Sequence, residues 1–214
     1  MIKKFFTDVG AYFILLKGMF TKPENWRMYW RELMHQCSEI GIGSLGIVTI
    51  ISVFIGAVST IQTAYQLTTP FLSKSIIAQI GRDTVILEFA PTLVFIVLAG
   101  VIGSKIASEL GNMRVSEQID ALEIMGINTK AYLVLPKIVA ALVVIPMLIV
   151  LAAMLGIWGG RIAGSMAGIL STDEYDKGLF MGFIPYNAFF AMAKAYTFAF
   201  LISSKAVVHL RRLH

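Results

Sequence analysis

The sequence predicts an all-α polytopic membrane protein, with an N-terminal interfacial amphipathic helix, four transmembrane helices and a short cytoplasmic helix between the second and third. Three observations predict it. Of the 214 residues, 57% are apolar and 14% are charged, against roughly 45–50% and about 25% in soluble domains. Uncharged runs of spanning length, about 20 residues, recur along the chain. Lys and Arg concentrate in alternate connections. With a mean hydropathy of +0.77, the chain has too little polar surface to cover a soluble globule. An ordinary cytosolic enzyme, a disordered chain and a disulfide scaffold are excluded, and the single cysteine, Cys37, cannot close an internal disulfide. The net charge of +5 reads as basic flanks of membrane spans rather than as a nucleic-acid surface.

The chain reads as one membrane domain, 1–214. In residues 1–36, Phe5, Phe6, Val9, Tyr12, Phe13 and Leu16 recur at helical spacing between Lys3, Lys4 and Lys17. That pattern suits a helix lying in the interface or packed on a partner. Trp26, Tyr29 and Trp30 follow, mixed with Arg27 and Arg31, as is typical at headgroup depth. The apolar run Val9 to Leu16 is short and has no cleavage site after it, so a signal peptide is not expected. TM1 (40–67) lies in the charge-free stretch from Ile40 to Ser73, with its apolar heart at Leu45 to Ala64. TM2 (85–108) is headed by Glu88 and uncharged from Phe89 to Ser104. TM3 (133–160) is uncharged from Ile138 to Gly160. Ser171-Thr-Asp-Glu174 fits a capping box that opens an external helix or loop (171–184). Pro185 then introduces TM4 (185–208), interrupted only by Lys194.

Basic residues orient the chain. Lys3, Lys4, Lys17, Lys22, Arg27 and Arg31 precede TM1; Lys105, Arg114, Lys130 and Lys137 lie between TM2 and TM3; Lys205, Arg211 and Arg212 follow TM4. The other two connections carry only Lys74 with Arg82 and Arg161 with Lys177. The N-terminus, the TM2–TM3 connection and the C-terminus are therefore expected in the cytoplasm.

The TM2–TM3 connection (109–127) is the most informative stretch. Val115, Ile119 and Leu122 form an apolar stripe, and Glu117, Asp120 and Glu123 line another face, with Gly111 and Gly126 as expected helix stops. A short amphipathic helix of this kind either docks in a partner's groove or packs on its own bundle. An ionisable group inside a bilayer is a functional candidate. Glu88 fits a pocket residue or a wet flank. Lys194, midway along TM4, fits either a polar cavity or lipid phosphate, or a snorkelling ammonium. Gln62, Tyr65 and Gln66, at the outer end of TM1, fit the exit of a lipid pocket or ordinary interface anchors. Gly156, Gly160, Gly164 and Gly168 repeat every four residues, a face along which helix backbones approach closely in lipid.

Several chemistries lack their residues. No G-x-x-x-x-G-K-[ST] is present to cradle ATP phosphates, and neither H-E-x-x-H nor G-x-S-x-G occurs. His35, His209 and His214 are scattered without ligand spacing. Neither an enzyme nor a metal site is expected.

The segment "ELGNMRVSEQIDALEIMGIN" (109–128) resembles the signature of the MlaE-type permease family, the membrane subunits of ABC transporters linked to MCE proteins, which move phospholipid in diderm bacteria and chloroplast envelopes. The resemblance extends to "FIGAVSTIQTAYQL" (54–67), "LEFAPTLVFIVLAGVIGSKIASELG" (87–111) and "GIWGGRIAG" (156–164), and covers roughly residues 10 to 204. It implies that Glu109, Gly111, Met113, Glu117, Gln118, Asp120, Ala121, Leu122, Met125 and Gly126 form the coupling helix that docks on the ATPase subunit. A Lys also occurs in the family at the place of Lys194. Two departures stand out. Where the family usually has an Arg before the acidic residue at the head of TM2, this sequence has Leu87. The family also continues into a fifth spanning helix, whereas this sequence stops at "HLRRLH".

The resemblance implies the permease subunit of an ABC phospholipid transporter in the inner membrane of a diderm bacterium or an organelle envelope. Its implied partners are a separate ABC ATPase that binds the ATP, an MCE-domain protein, phospholipid, and a second copy of the chain. No cofactor is implied for the chain itself. The alternative is a non-transporting membrane scaffold that recruits a cytoplasmic partner through the 109–126 helix.

Overall fold

The computed structural model describes residues 26–67, 73–125 and 129–213, and no strand occurs among them. In chain order the elements are α1 (Trp26–Gln66), α2 (Ser75–Thr84), a π-helical segment (Val85–Leu93), α3 (Val94–Val115), α4 (Gln118–Ile124), α5 (Thr129–Met166), α6 (Thr172–Phe180) and α7 (Pro185–Leu213). The chain is an all-α polytopic membrane protein. Three helical runs within it are long and apolar enough to cross a membrane: Arg27–Gln66, Ser75–Val115 and Leu135–Met166. The helix expected as TM4 is the 29-residue α7. Tyr186, Asn187 and Lys194 make its course more polar than that of the other three.

Residues 1–25, which carry the expected interfacial apolar pattern, lie outside the described residues, as does Gly126. Residues 26–36, expected to belong to that interfacial segment, are instead the first turns of α1. At about 1.5 Å per residue the 41 residues of α1 exceed the roughly 30 Å hydrocarbon layer. Trp30 and the basic Arg27 and Arg31 fall on the extra turns. No proline or glycine interrupts the helix before Gly41, so nothing local stops it there.

The chain divides into two compact units. The first comprises residues 1–41, 99–144 and 199–214; the second comprises 42–98 and 145–198. In the first, Ile40, Ile102, Ile106, Ala140, Ala141 and Val144 are buried. In the second, α1 and α5 pack through small residues. Ser52, Ser59 and Thr60 are buried on α1, and Ser52 returns its hydroxyl to the Val48 carbonyl at 2.6 Å. Such residues let backbones approach while satisfying their own polar atoms. Large apolar side chains such as Phe54 (67% exposed) and Met147 (68%) point outward, as suits a surface bathed in lipid rather than water.

The capping box expected at Ser171 is present. The Glu174 N–H donates to the Ser171 hydroxyl at 3.2 Å, and the Ser171 N–H donates to the Glu174 carboxylate at 2.9 Å. These bonds hold the Glu174 carboxyl below its ordinary range. Helix α6 then lies on α2. Ile77, Ala78, Leu170 and Tyr175 make a small core there, and Gly178 lets the Ser75 carbonyl come close: a Cβ at 178 would sit 2.3 Å from that oxygen.

Candidate functional site

The second unit holds a charged pair within apolar helix. Glu88 lies in the π-helical segment and Lys194 in α7. The Lys194 ammonium donates to the Leu87 carbonyl at 2.8 Å and to Glu88 Oε1 at 3.1 Å. The Phe190 ring lies 5.1 Å from the same nitrogen. A lone ammonium in hydrocarbon is costly; here two oxygens and an aromatic face take the place of water. The Lys194 side chain is 24% exposed, whereas Glu88 is 62% exposed. The pair therefore presents its acidic member outward. Leu87, where the resemblance leads one to expect Arg, contributes through its backbone carbonyl instead. Gln62, Tyr65 and Gln66 are exposed on the last turns of α1. No hydrogen bond among the described residues joins them to Glu88 or Lys194.

The first unit holds the segment expected to couple to a partner. It was expected as one helix, but the structure divides it. Gly111, expected as a stop, lies inside α3, with open space around it. The break comes at Ser116 and Glu117, where Glu117 has a φ of 57°. A non-glycine residue rarely takes this left-handed conformation. Hydrogen bonds back to α3 hold it: Ser116 N–H and Oγ donate to the Asn112 carbonyl, and Glu117 N–H donates to the Arg114 carbonyl. Gln118, Asp120, Ala121 and Leu122 fall in α4, which Arg114 ties back through a 2.5 Å ion pair with Asp120. The expected apolar stripe is split by the same turn. Ile119 is buried, Leu122 is half-buried, and Val115 is 87% exposed. Ile124 and Met125 are exposed as well, while Met113 is half-buried.

Gln36, Glu39, Lys105 and Lys137, none of them a site candidate in the sequence, anchor this segment together with Glu109. Lys105 and Glu109, one turn apart on α3, both reach α1, and Glu109 reaches α5 as well. Lys105 pairs with the Glu39 carboxylate and donates to the Glu39 carbonyl at 3.0 Å. Glu109 pairs with Lys137 of α5 and accepts from Gln36 of α1 at 3.3 Å. Lys137 is 2% exposed. A polar cleft of about 580 Å³ opens beside this network, lined by Gln36, Glu39, Lys105, Ser108, Glu109 and Asn112 among others. The one sequence signal for the network was the i, i+4 spacing of Lys105 and Glu109.

The small-residue face is partly as expected. A Cβ at Gly156 would lie 2.9 Å from Val85, and one at Gly160 would meet the Thr60 and Tyr175 hydroxyls at 2.4 and 2.7 Å. Gly164 has ordinary contacts only. Gly168, expected on the same packing face, has nothing within 4 Å and instead takes φ +67°, turning the chain after α5. The closest approach belongs to glycines outside the four-residue repeat: a Cβ at Gly56 would stand 1.7 Å from the Gly156 carbonyl oxygen, and one at Gly159 would stand 2.3 Å from that of Val53. Arg82, also unanticipated, is buried at 3% exposure. Its guanidinium donates to the carbonyls of Leu179, Met181 and Gly182 and lies over the Phe183 ring, closing the C-terminal end of α6. No cluster of metal-ligating side chains occurs among the described residues.

Comparison with known proteins agrees with this architecture. The family model described as "Permease MlaE" matches residues 33–209. A probable ABC transporter permease of Rickettsia bellii is 31% identical over 92% of this chain and 75% of its own. The intermembrane phospholipid transport system permease MlaE of Haemophilus influenzae is 30% identical over 75% and 61%. The chloroplastic protein TRIGALACTOSYLDIACYLGLYCEROL 1 of Arabidopsis thaliana is 29% identical over 83% and 50%. The chain belongs to the MlaE permease family and is a membrane permease of the ABC-transporter class.

Proposed function

We propose that this permease moves phospholipid between the inner membrane and an MCE partner, powered by a separate ABC ATPase. The observation that carries the reading is the match to permease sequences over residues 33–209. In this reading the N-terminus, the α3–α5 connection and the C-terminus are cytoplasmic. Two copies of the chain enclose a largely apolar pocket for acyl chains. Lys194 and Glu88 meet the headgroup, an ammonium being suited to a phosphate oxygen. Gln62, Tyr65 and Gln66 line the exit.

The ATPase docks on the segment 109–126. Exposed Val115, Ile124 and Met125 supply apolar contact, and Glu117, Gln118 and Asp120 supply a polar rim, in the manner of a helix seated in a groove. Closure of the nucleotide-bound ATPases moves this segment. The ion pairs of Lys105 and Glu109 carry the movement to the helices that hold their partners.

The test is purification of the tagged chain from native membranes in mild detergent, with mass spectrometry of proteins and lipids. Recovery of an ABC ATPase, an MCE protein and phospholipid supports the reading. Recovery of a soluble partner without an ATPase overturns it in favour of a recruiting scaffold.

A further inference from the structure

The Glu88–Lys194 pair leaves bonding capacity on both of its members. An ammonium has three protons to donate, and a carboxylate has two accepting oxygens. The Leu87 carbonyl and Glu88 Oε1 take two of the Lys194 protons. Among the described residues nothing donates to Glu88 Oε2. One proton and one carboxylate oxygen therefore remain, on neighbouring groups 3.1 Å apart. Both side chains can be reached from outside, Glu88 more fully than Lys194. Packing as well as charge holds them in place: further along the same two runs of helix, Phe95 and Phe198 stack with ring centroids 4.3 Å apart. The pair carries no net charge, and its neighbour in sequence, Leu87, adds none. Leu93, Phe189 and Phe190, on the same two elements, are exposed and apolar, which suits a ligand with acyl chains.

We infer that the pair selects zwitterionic phospholipid whose headgroup ends in a primary ammonium: Lys194 donates its third proton to a phosphate oxygen, and the headgroup ammonium donates to Glu88 Oε2. The inference rests on the reading of Glu88 and Lys194 as the headgroup site. A headgroup with a phosphate and no cation would bring one unanswered negative charge to a neutral pair and set it beside the Glu88 carboxylate. An unanswered charge within a bilayer is costly. A headgroup that carries an ammonium with its phosphate leaves every charge next to an opposite one, through charge-assisted hydrogen bonds. Specificity is a difference between two ligands, and an unpaired charge held against one of them supplies it. Glu88 is thus the specificity-determining residue and Lys194 the phosphate ligand.

The permease is purified with its partner subunits and incubated in detergent micelles that hold equal amounts of phosphatidylethanolamine and phosphatidylglycerol with the same acyl chains. The lipid retained by the complex is read by mass spectrometry. The wild type should retain phosphatidylethanolamine over phosphatidylglycerol by about tenfold or more, the worth of one hydrogen bond to a charged group. Glu88→Gln keeps an acceptor for Lys194 but removes the negative charge, so it should erase that preference or reverse it. Lys194→Met should lower retention of both lipids. Equal retention of the two lipids by the wild type, or a preference that survives Glu88→Gln, overturns the inference. If Lys194→Met still lowers retention in that case, the headgroup reading stands without it. Retention indifferent to both Lys194→Met and Glu88→Gln refutes the headgroup reading itself. A second measurement needs no variant and decides the matter if Glu88→Gln does not assemble. Phosphatidylethanolamine acetylated on its nitrogen keeps the phosphate and loses the ammonium. The wild-type complex should retain it about tenfold less than the parent lipid, and equal retention overturns the inference.

Discussion

Gly56→Ala tests the tightest glycine contact among the described residues. A Cβ at this position would stand 1.7 Å from the Gly156 carbonyl oxygen and 2.4 Å from its carbon, where ordinary contact begins near 3.4 Å. The obstacle is the backbone of a second helix, so no side chain can swing aside. Either α1 and α5 part along that line or one of them bends, and both moves strip contacts from neighbouring small residues such as Ser52 and Thr60. Overpacking a core costs about 1–3 kcal/mol, and a backbone obstacle puts this site at or above the upper end. A loss of about 3 kcal/mol lowers the folding equilibrium by roughly a hundredfold and the midpoint by about 6–12 °C for a chain of this size. Thermal unfolding of the purified protein in detergent, followed by intrinsic fluorescence, reads the shift. Gly103→Ala is the control: nothing lies within 4 Å of its Cβ, and alanine favours the helix by up to about 1 kcal/mol. If Gly56→Ala melts with the wild type, the two helices do not cross at Gly56 and the packing argument fails.

Three further outcomes are expected. Glu109→Gln should destabilise more than Lys137→Met, because it strands an ammonium that is 2% exposed, while the reverse change leaves a carboxylate that is 37% exposed and can hydrate; breaking a buried pair costs about 3–5 kcal/mol, and equal melting shifts would refute the asymmetry. Asp120→Lys should weaken ATPase binding about tenfold or more in a titration of the detergent-solubilised permease, yet shift thermal unfolding by less than about 1 kcal/mol, since the Arg114 pair is exposed; unchanged binding removes α4 from the docking surface. The Ser171 N–H and hydroxyl hold the Glu174 carboxyl below its ordinary range, and the Arg161 guanidinium does the same for Asp176. Groups lowered on folding stabilise the fold above their unfolded pKa near 4, and that contribution is lost as pH falls through the lower folded values; hydrogen exchange of residues 172–180 should therefore quicken relative to the rest of the chain below about pH 4, and uniform protection across that range would contradict it.

The spans were legible because a bilayer imposes a one-dimensional rule. Twenty apolar residues without charge mark α1, α3 and α5 whatever they pack against, and the Ser171 capping box is written in four adjacent residues. Boundaries that depend on what does not happen were less legible. Nothing stops α1 at residue 36 once Trp26 has begun it, and Gly111 does not stop α3, because a glycine ends a helix only when its backbone turns left-handed. In this chain Glu117 takes that conformation, held by Asn112 and Arg114, and no residue-type signal announces a glutamate there. The π-helical segment was hidden for a related reason: Pro91 signals a disturbed turn but does not say whether the chain kinks or widens.

The site was legible one side at a time. A repeat of glycines shows that a face of α5 is small, yet its depth of contact depends on Gly56, one glycine on another helix with no repeat of its own. Glu88 and Lys194 each stood out as charges in apolar runs, 106 residues apart, and only the fold makes them a pair. Lys105 and Lys137 read as positive-inside flanks, and Glu109, by resemblance, as the first residue of the coupling segment; neither reading names their partners. What separates a flank lysine from Lys137 is burial. An ammonium at 2% exposure is tolerable only because Glu109 answers it, and Glu109 can answer it because Gln36 donates to the carboxylate's other oxygen. The acidic residue that begins the proposed coupling segment is thus shared between two helices. Under the proposed coupling role, a force applied to that segment meets Gln36 and Lys137 together, so substituting either one should disturb coupling as well as stability.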